Sequence, residues 1–309
     1  MRDAVVADLS RLGGTEVVVV ERRRRFRSAL RSADAALVIA PERNGILARL
    51  CRAIEREGCL LLGVSSEAAR ALADKLATAR CLAAAGVSTP RTEAVPFASA
   101  SRLRALSPPF VVKPRDGCGG RGVTVVRRAS EIGAALGAVR RATRRSAFLV
   151  QEYIEGDAAS VSLIASGCLV DLGLNRQRLL RGRTPAYLGG ETFWPHPRAE
   201  EGIVAARAAI AALALARPGV RGYLGVDLVL GPNGATVIEV NPRLTTSYVG
   251  LRRSIRENLA ALILDAAAGR ALPDRVTPAG RCRFRADGST TMWRGRWATS
   301  SGGTSAASI

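Results

Sequence analysis

Phe110-Val-Val-Lys113-Pro-Arg-Asp116-Gly-Cys-Gly-Gly-Arg-Gly122-Val-Thr-Val-Val126 decides how the chain is read. Gly117, Gly119 and Gly122 satisfy the spacing of a dinucleotide fingerprint, but that fingerprint must open a helix, and the β-branched run at 123–126 predicts a strand. The loop is not a P-loop either, because no Gly-Lys-Ser/Thr closes it. The stretch therefore predicts a strand–loop–strand flap whose backbone N–H groups can fold over phosphates. Lys113 stands three residues before the flap, within reach of the same phosphates. An ordinary glycine-rich hairpin is the alternative for these residues taken alone.

Composition gives Lys113 more weight. Of the 46 basic residues among 309, only Lys75 and Lys113 are lysine. Arginine is a broad planar fork and lysine a compact point charge, so a lysine retained in an arginine-saturated chain marks a place where only lysine fits. The net charge of +20 raises nucleic-acid binding. However, the basic residues are scattered apart from the run at 22–25, and aromatics for base stacking are few. Nucleic acid is not expected as the primary partner. The six cysteines show no paired spacing and His196 is the only histidine, which argues against a zinc site and a disulfide framework. No export signal is read at 1–14 and no apolar run is long enough to span a bilayer, so the expected location is cytoplasmic, without a membrane partner.

Outward from the flap, the first part alternates helix and strand. Helices are expected at 3–12, 44–57 and 66–85, the last closed by Gly86, and strands at 15–20, 35–39 and 60–64. This is an α/β pattern with a parallel sheet. After Pro90 the texture changes. Strands are expected at 110–113, 123–126, 148–154 and 159–164, a helix at 129–142, and a long polar connection to residue 198. Then follow a helix at 199–216, a hairpin of 222–230 with 235–240 around Gly231-Pro-Asn-Gly234, and a helix at 246–268. The fold class is an α/β domain over residues 1–91 followed by an α+β domain over 92–272. The Gly/Ser/Thr-rich end, 273–309, reads as a disordered tail.

The hairpin carries a second constellation. Glu239 and Asn241 share one strand face, and the turn places Asp227 opposite Glu239 to within one step of register. Three oxygen ligands on an otherwise apolar hairpin favour Mg²⁺, with Mn²⁺ left open. Arg243, two positions on, points toward the same region and can neutralise a transferring phosphoryl group. A third element, Leu149-Val-Gln151-Glu152-Tyr153-Ile154, offers apolar faces and backbone edges that suit a purine.

Taken in order, Asp74-Lys75, Val111-Val-Lys113-Pro, the flap 116–122, Gln151-Glu-Tyr-Ile154, Asp227 and Glu239-Val-Asn-Pro-Arg243 resemble the ATP-grasp superfamily over about residues 60 to 268. The resemblance implies a pre-ATP-grasp domain before the ATP-grasp domain, and ATP and Mg²⁺ as cofactors. Lys75 and Lys113, with Gly117, Gly119, Gly120 and Gly122, are then expected on the phosphates, and Gln151, Glu152, Tyr153 and Ile154 around the adenine. Asp227, Glu239 and Asn241 are expected on the cation, and Arg243 acts in catalysis. The position that often carries a ribose-binding glutamate is Ala158, for which Asp157 stands in.

Ile39-Ala-Pro-Glu-Arg-Asn-Gly45, Ser160-Val-Ser-Leu163, Leu174-Asn-Arg-Gln177, Tyr187-Leu-Gly-Gly190 and Asn241-Pro-Arg-Leu-Thr-Thr-Ser-Tyr-Val-Gly250 resemble the tyramine–L-glutamate ligases of methanofuran-type cofactor synthesis. That likeness implies an ADP-forming ligase joining a carboxylate to an amine through an acyl phosphate. It implies Glu42, Asn175, Gln177, Gly190, Thr245, Ser247 and Tyr248 as contacts for small amino-acid and amine substrates, and a homodimer is left open. It also implies a further strand and glycine loop ahead of the helix at Met1, so the first sheet is expected to be one strand short. The alternatives kept are another ATP-grasp ligase, such as one acting on D-alanine, and a basic nucleic-acid-binding protein without turnover.

Overall fold

The structure is a computed structural model that describes residues 1–21, 23–180, 182 and 185–293. The N-terminal part comprises α1 (Arg2–Leu9), α2 (Arg23–Leu30), β1 (Ala35–Ala36), α3 (Ile46–Arg56) and β2 (Leu60–Leu61). β1 and β2 pair in parallel, as the alternating pattern implies, but over only two residues each. The strand expected at 15–20 is not formed: these residues join no ladder, and Val18 and Val19 lie exposed. A β-branched run becomes a strand only where a partner takes up its N–H and C=O groups, and no neighbouring edge does so here.

The helix expected at 66–85 is two, α4 (Ser66–Leu72) and α5 (Lys75–Ala84). Asp74 makes the break: its Oδ1 accepts the N–H groups of Leu76 and Ala77, satisfying orphan donors of a new helix instead of continuing the old one. Gly86 closes α5 at a φ of 74°.

Two antiparallel sheets follow. The smaller has the order β3-β6-β4-β5, with β3 (Thr92–Pro96), β4 (Phe110–Lys113), β5 (Thr124–Val126) and, beyond α6 (Ile132–Ala142), β6 (Ala147–Glu152). Val95, Phe110, Val112, Val126 and Phe148 pack there against Ile132, Ala135 and Val139 of α6. The larger has the order β11-β10-β7-β8-β9-β12-β13. Its members are β7 (Asp157–Ser166), β8 (Cys168–Leu180), β9 (Ala186–Glu191), β10 (Gly222–Gly231), β11 (Gly234–Asn241), β12 (Cys282–Arg285) and β13 (Thr290–Met292). Helix α7 (Ala199–Ala216) packs on one side of it. On the other lie α8 (Tyr248–Ser254) and α9 (Leu259–Ala267). The helix expected at 246–268 is broken where Asn258 caps α9.

Two expectations need correction. The polar connection before residue 198 holds the long strand β8 and its partner β9. The tail expected to be disordered from 273 holds β12 and β13, with Cys282 and Phe284 buried and β12 paired to β9. The end of the tail, 294–309, lies outside the described residues. Among the described residues no helix is long and apolar enough to cross a membrane.

One buried carboxylate ties the first helix to the last layer. Asp8, fully buried, accepts Tyr248 Oη at 2.8 Å and Arg252 Nε and Nη2 at 2.8 and 2.6 Å. Removing one partner of such a pair leaves the other buried and uncompensated, at a cost of about 3–5 kcal/mol. Asp8→Ala is expected to lower the unfolding free energy by about that amount, read as a shifted denaturant midpoint with an unchanged slope.

Candidate active site

The start of α5 and the end of β4 are fastened together. The Asp74 carboxylate that caps α5 also takes Arg115 in a two-pronged pair, Nε to Oδ1 at 2.8 Å and Nη2 to Oδ2 at 2.6 Å, and the Lys75 N–H donates to Arg115 O at 3.1 Å. This brings the Lys75 ammonium onto Glu239 Oε1, with only 13% of the Lys75 side chain exposed. Lys113 ends β4 almost fully buried and donates to Gln151 Oε1 at 2.8 Å. Gln151 is held in turn by Thr92, its Nε2 donating to Oγ1 at 2.8 Å. Burial pushes the Lys113 ammonium down to about 8, with Glu239 pulling it up and Lys75 pushing it further down.

Across from the lysines, the hairpin sets Asp227 directly opposite Glu239, and a bulge follows at Asp227/Leu228. Asp227 Oδ1 accepts Gln177 Nε2 at 2.6 Å and Oδ2 accepts Asn241 Nδ2 at 3.0 Å. Burial first, and then the neighbouring Glu239 charge, push the Asp227 carboxyl up to about 6. Burial also raises the Glu239 carboxyl, but Lys75 and Lys113 together outweigh it and hold it below the usual range. Arg243 completes the group: Nη2 donates to Asn241 Oδ1 at 3.3 Å and Nε lies 2.9 Å from Glu42 Oε1.

This donor set fits a hard divalent cation. Two opposed carboxylates and one amide oxygen is the small complement such a cation takes when phosphates supply further oxygens. Burial and the Glu239 charge both disfavour the ionised Asp227 carboxylate, and a bound cation would favour it. Among the described residues no cluster of three or more His, Cys, Asp or Glu forms a metal cage.

Above these groups lies the flap, between β4 and β5. It is anchored by Asp116, which accepts Thr143 Oγ1 at 3.3 Å and pairs with Arg145 at 3.5 Å. Gly117, Gly119, Gly120 and Gly122 all adopt positive φ. Gly122 has a packing reason as well: a Cβ there would fall 2.4 Å from Ala142 Cβ. At the rim, the Glu152 N–H expected to serve a purine edge is already donated to Arg91 O at 2.9 Å. Tyr153 lies under Arg127, its ring centroid 4.9 Å from the guanidinium carbon, and accepts Arg127 Nη2 at 3.0 Å. Ile154 follows at the end of the strand, partly buried. Asp157 is half-exposed and lies 3.4 Å from His196.

The expected substrate contacts divide. Glu42 and Gln177 reach the charged group. Thr245 stands in a hydroxyl cluster with Ser247, Tyr223 and Ser162. Four lie in the interior. Tyr248 is fully buried with its hydroxyl committed to Asp8, and Ser247 is enclosed by the hydroxyl cluster. Asn175 is fully buried and donates to Ser160 O at 3.3 Å. Gly190 is small because a Cβ would fall 2.3 Å from Arg176 O and 2.7 Å from the Phe284 ring.

The structure adds residues that the sequence did not single out. Cys118, in the flap, has its thiol pushed up by burial and lies in the fields of Arg243, Glu42, Lys75 and Glu239. The Tyr187 phenol is pushed up by burial and by the nearby Asp227 charge. The Asp74–Arg115 clamp is also new. Only Asp74 had a signal in the sequence, an aspartate directly before a helical run.

Comparison with known families matches residues 72–247 to the ATP-grasp domain and residues 1–69 to the pre ATP-grasp 3 domain. The tyramine–L-glutamate ligase of Methanocaldococcus jannaschii is 31% identical over 270 residues, covering 84% of this chain and 73% of that protein. The enzyme of the same name from Methanocaldococcus fervens is 32% identical over 245 residues, covering 79% and 69%. Among solved structures, an ATP-grasp superfamily protein from Archaeoglobus fulgidus superposes with a TM-score of 0.63 at 26% identity, covering 88% of this chain and 76% of that one. With two lysines facing two carboxylates beneath a glycine flap, and both family domains matched in order, the chain belongs to the ATP-grasp family, as an ADP-forming carbon–nitrogen ligase.

Proposed function

We propose that the enzyme joins glutamate to tyramine or a similar aryl-ethylamine, with ATP and Mg²⁺, in methanofuran-type cofactor synthesis. The observation that carries this reading is the convergence of Lys75, Lys113, Asp227, Glu239, Asn241 and Arg243 on one buried spot, in a chain similar over most of its length to two tyramine–L-glutamate ligases.

In this reading Lys75, Lys113 and the flap amides hold the phosphates, while Tyr153 and Ile154 border the base. Asp227, Glu239 and Asn241 hold the cation, which supplies charge neutralisation at the phosphates. A substrate carboxylate oxygen attacks the γ-phosphorus, the bond to the ADP oxygen breaks, and an acyl phosphate forms. The amine nitrogen then attacks the acyl carbon, phosphate leaves, and the amine proton passes to solvent. The protein's share is alignment and neutralisation, with Arg243 beside the equatorial oxygens. ADP release measured against a panel of amino acids and aryl-ethylamines tests the reading; turnover with a different pair, and none with glutamate and tyramine, would overturn the substrate assignment.

A pH effect follows from Lys113. With its ammonium brought down to about 8, the free enzyme loses that charge as pH rises through this value, whereas a phosphate beside it favours the protonated form. Nucleotide affinity is therefore expected to fall as pH rises through about 8. Above that pH, binding should be accompanied by proton uptake, visible by calorimetry in buffers of different ionisation enthalpy. A flat profile from pH 7 to 9.5 would remove Lys113 from the phosphate site.

A further inference from the structure

Glu42 is 5% exposed and sits where the chain leaves the first sheet and turns into α3. The turn is tightly fixed. Glu42 O accepts the Gly45 N–H at 3.1 Å, Pro41 O accepts the Leu47 N–H at 3.2 Å, and Asn44 and Gly45 both adopt positive φ, at 54° and 66°. The turn fixes the backbone from which the carboxylate projects, and Arg243 holds one of its oxygens. One oxygen, Oε1, faces Arg243 Nε at 2.9 Å. The other, Oε2, is buried and has no hydrogen-bond partner. A buried carboxylate oxygen without a donor is costly, and such atoms in folded proteins call for an explanation. Cys118 of the flap feels the charges of both Glu42 and Arg243, and Arg243 feels that of Glu239 as well. The Glu42 carboxylate thus belongs to the charged group around Arg243, not to a distant surface.

We infer that Glu42 Oε2 is the acceptor for the non-reacting ammonium group of the carboxyl-donating substrate, so that the site selects an amino acid over the same acid without its amine. The inference rests on the ligase reading above and deepens it. A cationic N–H donor satisfies the orphaned oxygen and compensates its charge, which a neutral hydroxyl does only in part. The reacting amine is a poor occupant. A nitrogen must shed its proton before it can attack an acyl carbon, and a fixed carboxylate at hydrogen-bond distance favours the charged form. A spectator ammonium gains from that same field. The fixed turn and the Arg243 contact supply the preorganisation that makes the discrimination effective.

The test compares glutamate with glutarate, which differ only by the amino group, in titrations against the enzyme loaded with Mg²⁺ and a non-hydrolysable ATP analogue. Wild type is expected to bind glutamate at least about tenfold more tightly than glutarate, and Glu42→Gln to reduce that ratio to near one, mainly by weakening glutamate. Glu42→Asp, which keeps the charge but retracts it, is expected to lie between. Affinity for the ATP analogue, titrated separately into each variant, reports whether the variants are folded. A glutamate preference that survives Glu42→Gln unchanged overturns the inference and leaves the ligase reading intact. If ADP release shows another amino acid to be the substrate, the same comparison with its desamino analogue decides the role of Glu42. A carboxyl donor that carries no amino group overturns the inference outright.

Discussion

Replacing either carboxylate of the hairpin, Asp227→Ala or Glu239→Ala, is expected to lower ADP formation by about 10³-fold or more while leaving the fold in place. The two stand directly opposite on β10 and β11, and burial, reinforced by the Glu239 charge, raises Asp227 to about 6. A bound divalent cation contributes several kcal/mol of charge stabilisation to a transferring phosphoryl group, which corresponds to about three decades in rate. Stability moves differently. Removing Asp227 relieves a repulsion with Glu239 but strands the donors of Gln177 and Asn241. Removing Glu239 leaves Lys75 facing Lys113 without the carboxylate between them. The Glu239 variant is therefore expected to be the less stable of the two in thermal melts, although both should fold. Retention of substantial ADP formation in both variants would exclude this hairpin as the cation site.

The parts of the site legible in the sequence share one property: their partners lie nearby in the chain or in a motif of fixed geometry. Asp227 opposite Glu239 follows from counting outward from the Gly231–Gly234 turn, and Lys113 beside the flap follows from adjacency. The bulge after Asp227 was not legible, yet it falls beyond the functional pair and leaves their register intact. What failed depends on long-range pairing. In sequence β8 lies in a long polar, Pro- and Gly-bearing stretch, and only the neighbouring strands β7 and β9 bury Asn175 and bring Gln177 to Asp227. β12 was missed for a similar reason. Cys282-Arg-Phe284-Arg alternates as a strand does, but four residues at the head of a Gly/Ser/Thr-rich end are too short a run to stand out until their pairing with β9 is known. The direction of Tyr248 was not legible: only packing against Asp8, some 240 positions earlier, shows that it faces the core. The two lysines were singled out by composition, which needs no pairing information at all.

Those lysines give the second large effect. Lys113→Arg is expected to lower kcat/KM for ATP by about 10²-fold, and Lys75→Arg by clearly less, although arginine fills nearly every other basic position of the chain. The order comes from their surroundings. Lys113 is 4% exposed, with its ammonium seated on Gln151 and Gln151 fixed by Thr92. A guanidinium is planar, wider, and brings five donors into a niche that offers one acceptor at hydrogen-bond distance, so most of its N–H groups would be buried unpaired or the side chain would displace Gln151. Arginine also cannot shed its proton, so the variant carries a permanent buried charge where lysine titrates at about 8. Lys75 is more open and faces the carboxylate of Glu239, which a guanidinium can satisfy, so part of its function survives. Lys113→Met separates the two causes: it removes the charge without the bulk. If charge at the phosphates is what matters, Met should fail while keeping its thermal stability; if fit is what matters, Arg should fail despite its charge and lose thermal stability as well. Steady-state ADP release and nucleotide titration on the three variants measure this. Near wild-type kinetics in Lys113→Arg would mean that the niche tolerates a guanidinium and that lysine was kept there for no reason of fit.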